Sequence, residues 1–109
     1  VTLNEFQVRA LNTAIYTYPD YPFVALAEEA GEALGKLAKC ARKQGVPVHE
    51  ALHLVDKQEA AKELFDVLWN VACCAVELGY SLEDLAELGL AKLEDRAKRG
   101  VLNGEGDNR

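Results

Sequence analysis

The sequence holds no methionine, one tryptophan, three prolines and three cysteines in 109 residues. What is scarce narrows the classes of function. No uninterrupted apolar run reaches the roughly 20 residues of a membrane span, and nothing at the start resembles a signal peptide. The opening on valine rather than methionine points to a trimmed or processed start. Positive charge is outnumbered, with 12 Lys and Arg against 18 Asp and Glu for a net charge of -6. Clustered cations for the phosphates of duplex nucleic acid are therefore not expected, although a polyphosphate can be held through metal ions that reverse the local sign. Cys40, Cys73 and Cys74 are odd in number and lack zinc spacing, so they read as reduced thiols of a cytoplasmic protein, acting as small hydrophobes. His49 and His53 sit in the least regular stretch and read as part of a solvated linker turn.

No strand alternation, repeat or low-complexity tract is present, so the expected product is one all-α domain over residues 1–109. Four helices are legible. Thr2 with Glu5 three residues on forms a capping box for a helix running to about Tyr16. Pro19 and Pro22 oppose continuation, and a second helix is expected from about Phe23 to Lys43, stopping at Gly45-Val46-Pro47. A third begins near Asp56 and ends at Gly79. Ser81 caps a fourth that continues to Gly100, with Lys98 and Arg99 complementing its dipole. Residues 100–109 are glycine-punctuated and polar, a flexible tail or a clamp.

Two carboxylate clusters carry the chemistry. Residues three apart on a helix share a face, about 4.5 Å apart along the axis, so Glu29/Glu32 and Glu63/Asp66 each form a two-acid pincer. Two facing pincers make a magnesium site. At an effective dielectric of 20 and a separation of about 6 Å each carboxylate pair repels by roughly 3 kcal/mol. Over four acids that rivals a small domain's stability, on the order of 5–15 kcal/mol, so convergence calls for cations. Residues 64–76 are apolar almost all round apart from Asp66 and Asn70, which marks a helix buried on most sides. Glu63, Asp66, Asn70 and Cys73 fall on one stripe of it. A buried acid must be paired, protonated or metal-bound. Glu28 points away from the pincer and is a candidate for the outer shell or for a base.

With the acids so placed, the chain resembles the MazG-like nucleoside triphosphate pyrophosphohydrolases of the all-α NTP pyrophosphatase superfamily. The pattern E-E-x-x-E followed by E-x-x-D is met by Glu28, Glu29, Glu32, Glu63 and Asp66. The likeness extends through Tyr21-Pro22, Asp66-Val67-Leu68-Trp69, Lys92-Leu93, Arg96 and Arg99-Gly100 to Gly104-Glu105-Gly106-Asp107-Asn108-Arg109, an ending like that of the short single-domain phage and bacterial branch. The chain departs from that branch at Phe65, Asn70 and Gly89. The resemblance implies a four-helix bundle assembled as a homodimer or homotetramer. It further implies hydrolysis of a (d)NTP to the monophosphate and pyrophosphate, in nucleotide-pool housekeeping or removal of a signalling nucleotide.

The residues suit that chemistry. An all-oxygen set at Glu29, Glu32, Glu63 and Asp66 favours Mg²⁺, with Mn²⁺ the alternative. Glu28 or Glu29 is the candidate base. Lys92 and Arg96 lie one turn apart, with Arg99 beyond them and Arg109 on the tail, as candidates for phosphate contact or for surface solvation. Asn70 is the candidate for contact with the nucleoside, and Trp69, Tyr16, Tyr18 and Tyr21 either stack a base or fill the core. Two other readings compete. A non-catalytic helical oligomerisation or adaptor module would treat the acids as surface decoration, and a di-iron bundle would need Glu-x-x-His pairs that are missing here.

Overall fold

Thr2 opens the first helix reciprocally: its hydroxyl accepts the Glu5 N–H at 3.0 Å, and its own N–H donates to the Glu5 carboxylate at 3.3 Å. In the computed structural model, which describes Val1–Arg109, this helix is α1, Leu3–Leu11. It ends well short of Tyr16. The Thr13 hydroxyl donates to Ala10 O at 2.7 Å and accepts from Trp69 Nε1 at 2.9 Å, so the chain turns away to meet α4 instead of extending the ladder.

Helix α2, Tyr21–Gln44, starts two residues earlier than the prolines suggest. Pro22 sits in its first turn, where the missing N–H has no helical acceptor to serve. Gly45 closes it at φ 65°, the left-handed conformation that only glycine adopts freely. The stretch read as a linker contains one turn of helix, α3, Val48–Ala51, whose Ala51 is fully buried with Cys40 Sγ 3.9 Å from its carbonyl. Asp56 caps α4, Lys57–Glu77, accepting from the Gln58 and Glu59 N–H groups. Ser81 caps α5, Leu82–Arg99, through the Asp84 N–H, and Gly100 ends it at φ 70°.

The molecule is all-helical, without strands. Helix α2 runs antiparallel along α4, α3 docks on α2, and α1 bridges α4 and α5. Ala10, Ala72, Ala75 and Leu82 form the centre, with Phe6, Trp69, Val71 and Leu85 against them. A buried amide ties these elements together. Gln7 Nε2 donates to Ala72 O at 3.2 Å and Tyr80 O at 3.1 Å, while its Oε1 accepts from Leu82 N at 3.0 Å.

The helices do not close into a four-helix bundle within one chain, because α5 packs on α1 and the end of α4 and makes no contact with α2. The radius of gyration is 16.9 Å, against about 13 Å for a compact chain of this length. Helix α4, read as buried on most sides, is so only in its second half, where Asn70 and Ala72 to Ala75 are enclosed; in the first half Leu64 is 63% exposed, and Phe65 and Leu68 are exposed as well. No helix is long and apolar enough to cross a membrane.

Candidate active site

The antiparallel pairing of α2 and α4 sets residue numbers running in opposite directions against each other, so Glu29 meets both Glu63 and Asp66. One carboxylate oxygen from each of these three lies within 4.8 Å of the others. All three side chains are half-buried. Glu29 registers the crowding: burial, then the charges of Asp66, Glu28, Glu63 and Glu32, hold its carboxyl above the usual glutamate range. Glu32 and Glu28 are exposed and stand outside the tight group, contributing to it through their charge.

A cation that the sequence reading did not single out borders the group. Lys36 Nζ lies 3.7 Å from Glu63 Oε1. The signal was present in the spacing, since Lys36 follows Glu32 by four and Glu29 by seven residues on one helical stripe. Asn70 is only 4% exposed. Its Nδ2 donates to Asp66 O at 2.9 Å, one turn back on the same helix, and its Oδ1 is buried with no donor.

Toward the N-terminal end of α2, Tyr16, Tyr18, Tyr21, Thr13 and Trp69 line a cleft of about 340 Å³. The Tyr16 and Tyr21 rings stack at 5.8 Å between centroids. The Tyr16 hydroxyl donates to Glu77 Oε1 at 3.0 Å, and burial together with this carboxylate keeps the phenol from ionising in any ordinary buffer. Trp69 both packs on the core and faces the cleft.

Lys92, Arg96 and Arg99 of α5 are engaged with the tail. Residues 101–109 fold back so that Asp107 meets Lys92 Nζ at 2.8 Å and Arg96 Nη2 at 3.1 Å. Arg96 is 5% exposed and donates as well to the Asp107 carbonyl. Arg99 pairs with Asp95 at 2.8 Å and reaches the Arg109 carbonyl. Arg109 in turn donates to the carbonyls of Val101, Leu102 and Gly106. These contacts hold Asp107 below the usual aspartate range, through hydrogen bonds from Lys92 and Arg96. An added Cβ at Gly104 would lie 2.6 Å from Arg109 Cδ and 3.1 Å from the Val101 carbonyl oxygen, so a side chain there must displace Arg109 from the fold-back.

Comparison with known proteins covers the same residues. A family model described as the MazG nucleotide pyrophosphohydrolase domain matches residues 23–101, a span that holds every acid of the group and all of α5 but neither α1 nor residues 102–109. The Gene 37 protein of Mycobacterium phage L5 is 36% identical over 114 residues, covering 95% of this chain and 96% of its own length. No solved structure matches the chain.

Proposed function

Because the chain belongs to the MazG nucleotide pyrophosphohydrolase family, whose members hydrolyse phosphoric anhydrides, we propose that it cleaves a nucleoside triphosphate to the monophosphate and pyrophosphate in a Mg²⁺-dependent reaction. The observation that carries this reading is the convergence of Glu29, Glu63 and Asp66. Three carboxylates this close repel one another, and Glu29 resists ionising, so the set fits a hard divalent cation with oxygen ligands. Glu29, Glu63 and Asp66 would hold the ion, with Glu32 one turn away completing the set by a change of rotamer. When bound, Mg²⁺ supplies charge neutralisation for the phosphate oxygens and a lowered pKa for an attacking water.

The chain's own residues do the rest. Glu28 or Glu29 takes the water's proton. The aromatic cleft stacks the nucleobase; Asn70, with its Oδ1 buried and outside the cleft lining, contacts the nucleoside only if its side chain turns outward. Lys92 has donors left over from Asp107 for a phosphate oxygen, while Arg96, Arg99 and Arg109 act through the tail they hold.

A second copy of the chain completes the fold in this reading. The accessible surface is 7929 Å², against about 6,000 Å² for a compact monomer of this mass. An excess of this size, with Leu64, Phe65 and Leu68 bare on α4, matches the scale of obligate homo-oligomer interfaces. The test is chromatography of the products from a panel of canonical and modified triphosphates, with and without Mg²⁺. Monophosphate plus pyrophosphate is the expected outcome. Diphosphate plus orthophosphate would reject cleavage at the α–β anhydride, and no turnover of any nucleotide would return the chain to a non-catalytic adaptor role.

A further inference from the structure

Helix α2 carries one stripe that changes sign midway: Glu29 and Glu32, then Lys36, Lys39 and Lys43. The three lysines line a groove of about 290 Å³ between the second half of α2 and the segment entering α4, with Leu54 and Val55 among its walls. The groove sets three lysines against a single carboxylate. Lys39 and Lys43 have no carboxylate partner within 4 Å, as is also true of Arg9, Arg42, Lys57, Lys98 and Arg109; what sets them apart is that they line one groove together with Lys36. Asp56 also lines the groove, but its Oδ1 accepts two backbone N–H groups as the cap of α4. Lys36 stands at the junction, 3.7 Å from Glu63 of the acid group.

The order along α2 is therefore aromatic cleft, acids, lysines. Tyr21 precedes Glu29 by about 12 Å of helix rise, and Lys36 follows it by about 10 Å. A nucleoside triphosphate has the same order of chemistry, with a flat base at one end and its negative charge at the other. Laid along α2 with the base in the cleft and the α–β anhydride over the acids, its terminal phosphates run toward Lys36 and Lys39. Lysine suits such a ligand, because its compact charge and three donors meet phosphate oxygens from several directions.

We propose that Lys36, Lys39 and Lys43 form a pyrophosphate site, which takes the β- and γ-phosphates of the substrate and the inorganic pyrophosphate produced from it. The assignment rests on the triphosphate reading above. In that hydrolysis water adds across the α–β anhydride: one P–O bond breaks, the hydroxyl joins one phosphorus, the bridging oxygen stays on the other, and a proton is released. The lysines meet the charge on the pyrophosphate half and set which way round the substrate lies.

The test is calorimetric titration of the full-length protein with inorganic pyrophosphate in the presence of Mg²⁺, comparing the wild type with Lys39→Gln/Lys43→Gln. Both lysines are exposed helix positions, and a far-ultraviolet circular dichroism melt checks that the variant folds. The dissociation constant for pyrophosphate should rise by about tenfold, from loss of two charge-assisted contacts, while that for a nucleoside monophosphate stays within about twofold. An unchanged pyrophosphate affinity, no binding by the wild type, or an equal loss for the monophosphate would overturn the site. The two readings fail separately. A wild type that turns over triphosphates while the variant binds pyrophosphate normally defeats the groove alone. A wild type that binds pyrophosphate through these lysines yet hydrolyses no nucleotide defeats the enzymatic reading alone.

Discussion

Lys36 on α2 and Glu63 on α4 approach to 3.7 Å across the helix pair, and this contact marks where a line of acids gives way to a line of lysines. On one side of it Glu29, Glu63 and Asp66 crowd together, and on the other Lys39 and Lys43 stand without partners. The half-buried pair itself adds little to stability, since solvent still reaches and screens it. Its significance is positional.

Removing an acid from the crowded group should separate function from folding. Asp66→Asn is expected to lower triphosphate turnover by roughly a hundredfold or more through loss of a cation ligand. The metal-free protein should melt at the same denaturant concentration or higher, because one repulsive charge is gone. Steady-state kinetics paired with urea melts check this, and near-normal turnover would remove Asp66 from the site.

The raised Glu29 carboxyl makes metal-free stability depend on pH in a definite direction. A carboxyl that ionises less readily in the folded chain binds its proton more tightly there than in the unfolded chain. Its contribution is therefore favourable at low pH and is lost as pH rises from the unfolded value, about 4.3, through the higher folded one. Urea melts of the wild type minus those of Glu29→Gln should show this decline and then level off. Saturating Mg²⁺ should reverse the sign of the difference near neutral pH, since only the wild type keeps the full ligand set.

Assembly should depend on the bare face of α4. Light scattering at micromolar concentration is expected to give a multiple of the 11.9 kDa chain mass, and Leu68→Asp should shift it toward the monomer. A wild type found only at the monomer mass would refute the second-copy argument.

The tail should come loose when its anchor is neutralised. Asp107→Asn leaves the buried Arg96 guanidinium without its carboxylate, so trypsin should cleave after Arg99 faster than in the wild type. Gly104→Ala should act the same way by crowding Arg109 and the Val101 carbonyl. Because Asp107 is held below the usual aspartate range, the wild-type anchor is present above that range and is lost as pH falls through its lowered value.

Gln7 offers a test of the fold independent of the site. Its side chain serves two carbonyls and one N–H, of which the Ala72 carbonyl and the Leu82 N–H are buried, so Gln7→Leu should destabilise the protein by about 2–3 kcal/mol, read from urea melts.

Much of this was written locally. Thr2 with Glu5, Asp56, Ser81 and the glycines at 45, 79 and 100 mark helix ends in the sequence and mark them in the structure, because a cap is satisfied by atoms within a few residues. The acid pairs were legible for the same reason, helical spacing alone putting Glu63 and Asp66 on one face. What sequence could not determine is whatever depends on a distant partner. Helix α1 stops early because Trp69, 56 residues away, binds Thr13. Glu29 rather than Glu32 joins the tight acid group because the register of α2 against α4 decides it, and register is set by packing between helices. The same register brings Lys36 to Glu63, and the fold-back of the tail turns Arg96 from an exposed candidate ligand into a buried anchor. The apolar circumference of α4 was plain in the sequence, but only the tertiary structure shows that one chain leaves half of it uncovered. A hydrophobic face records that it must be buried, and not against which surface.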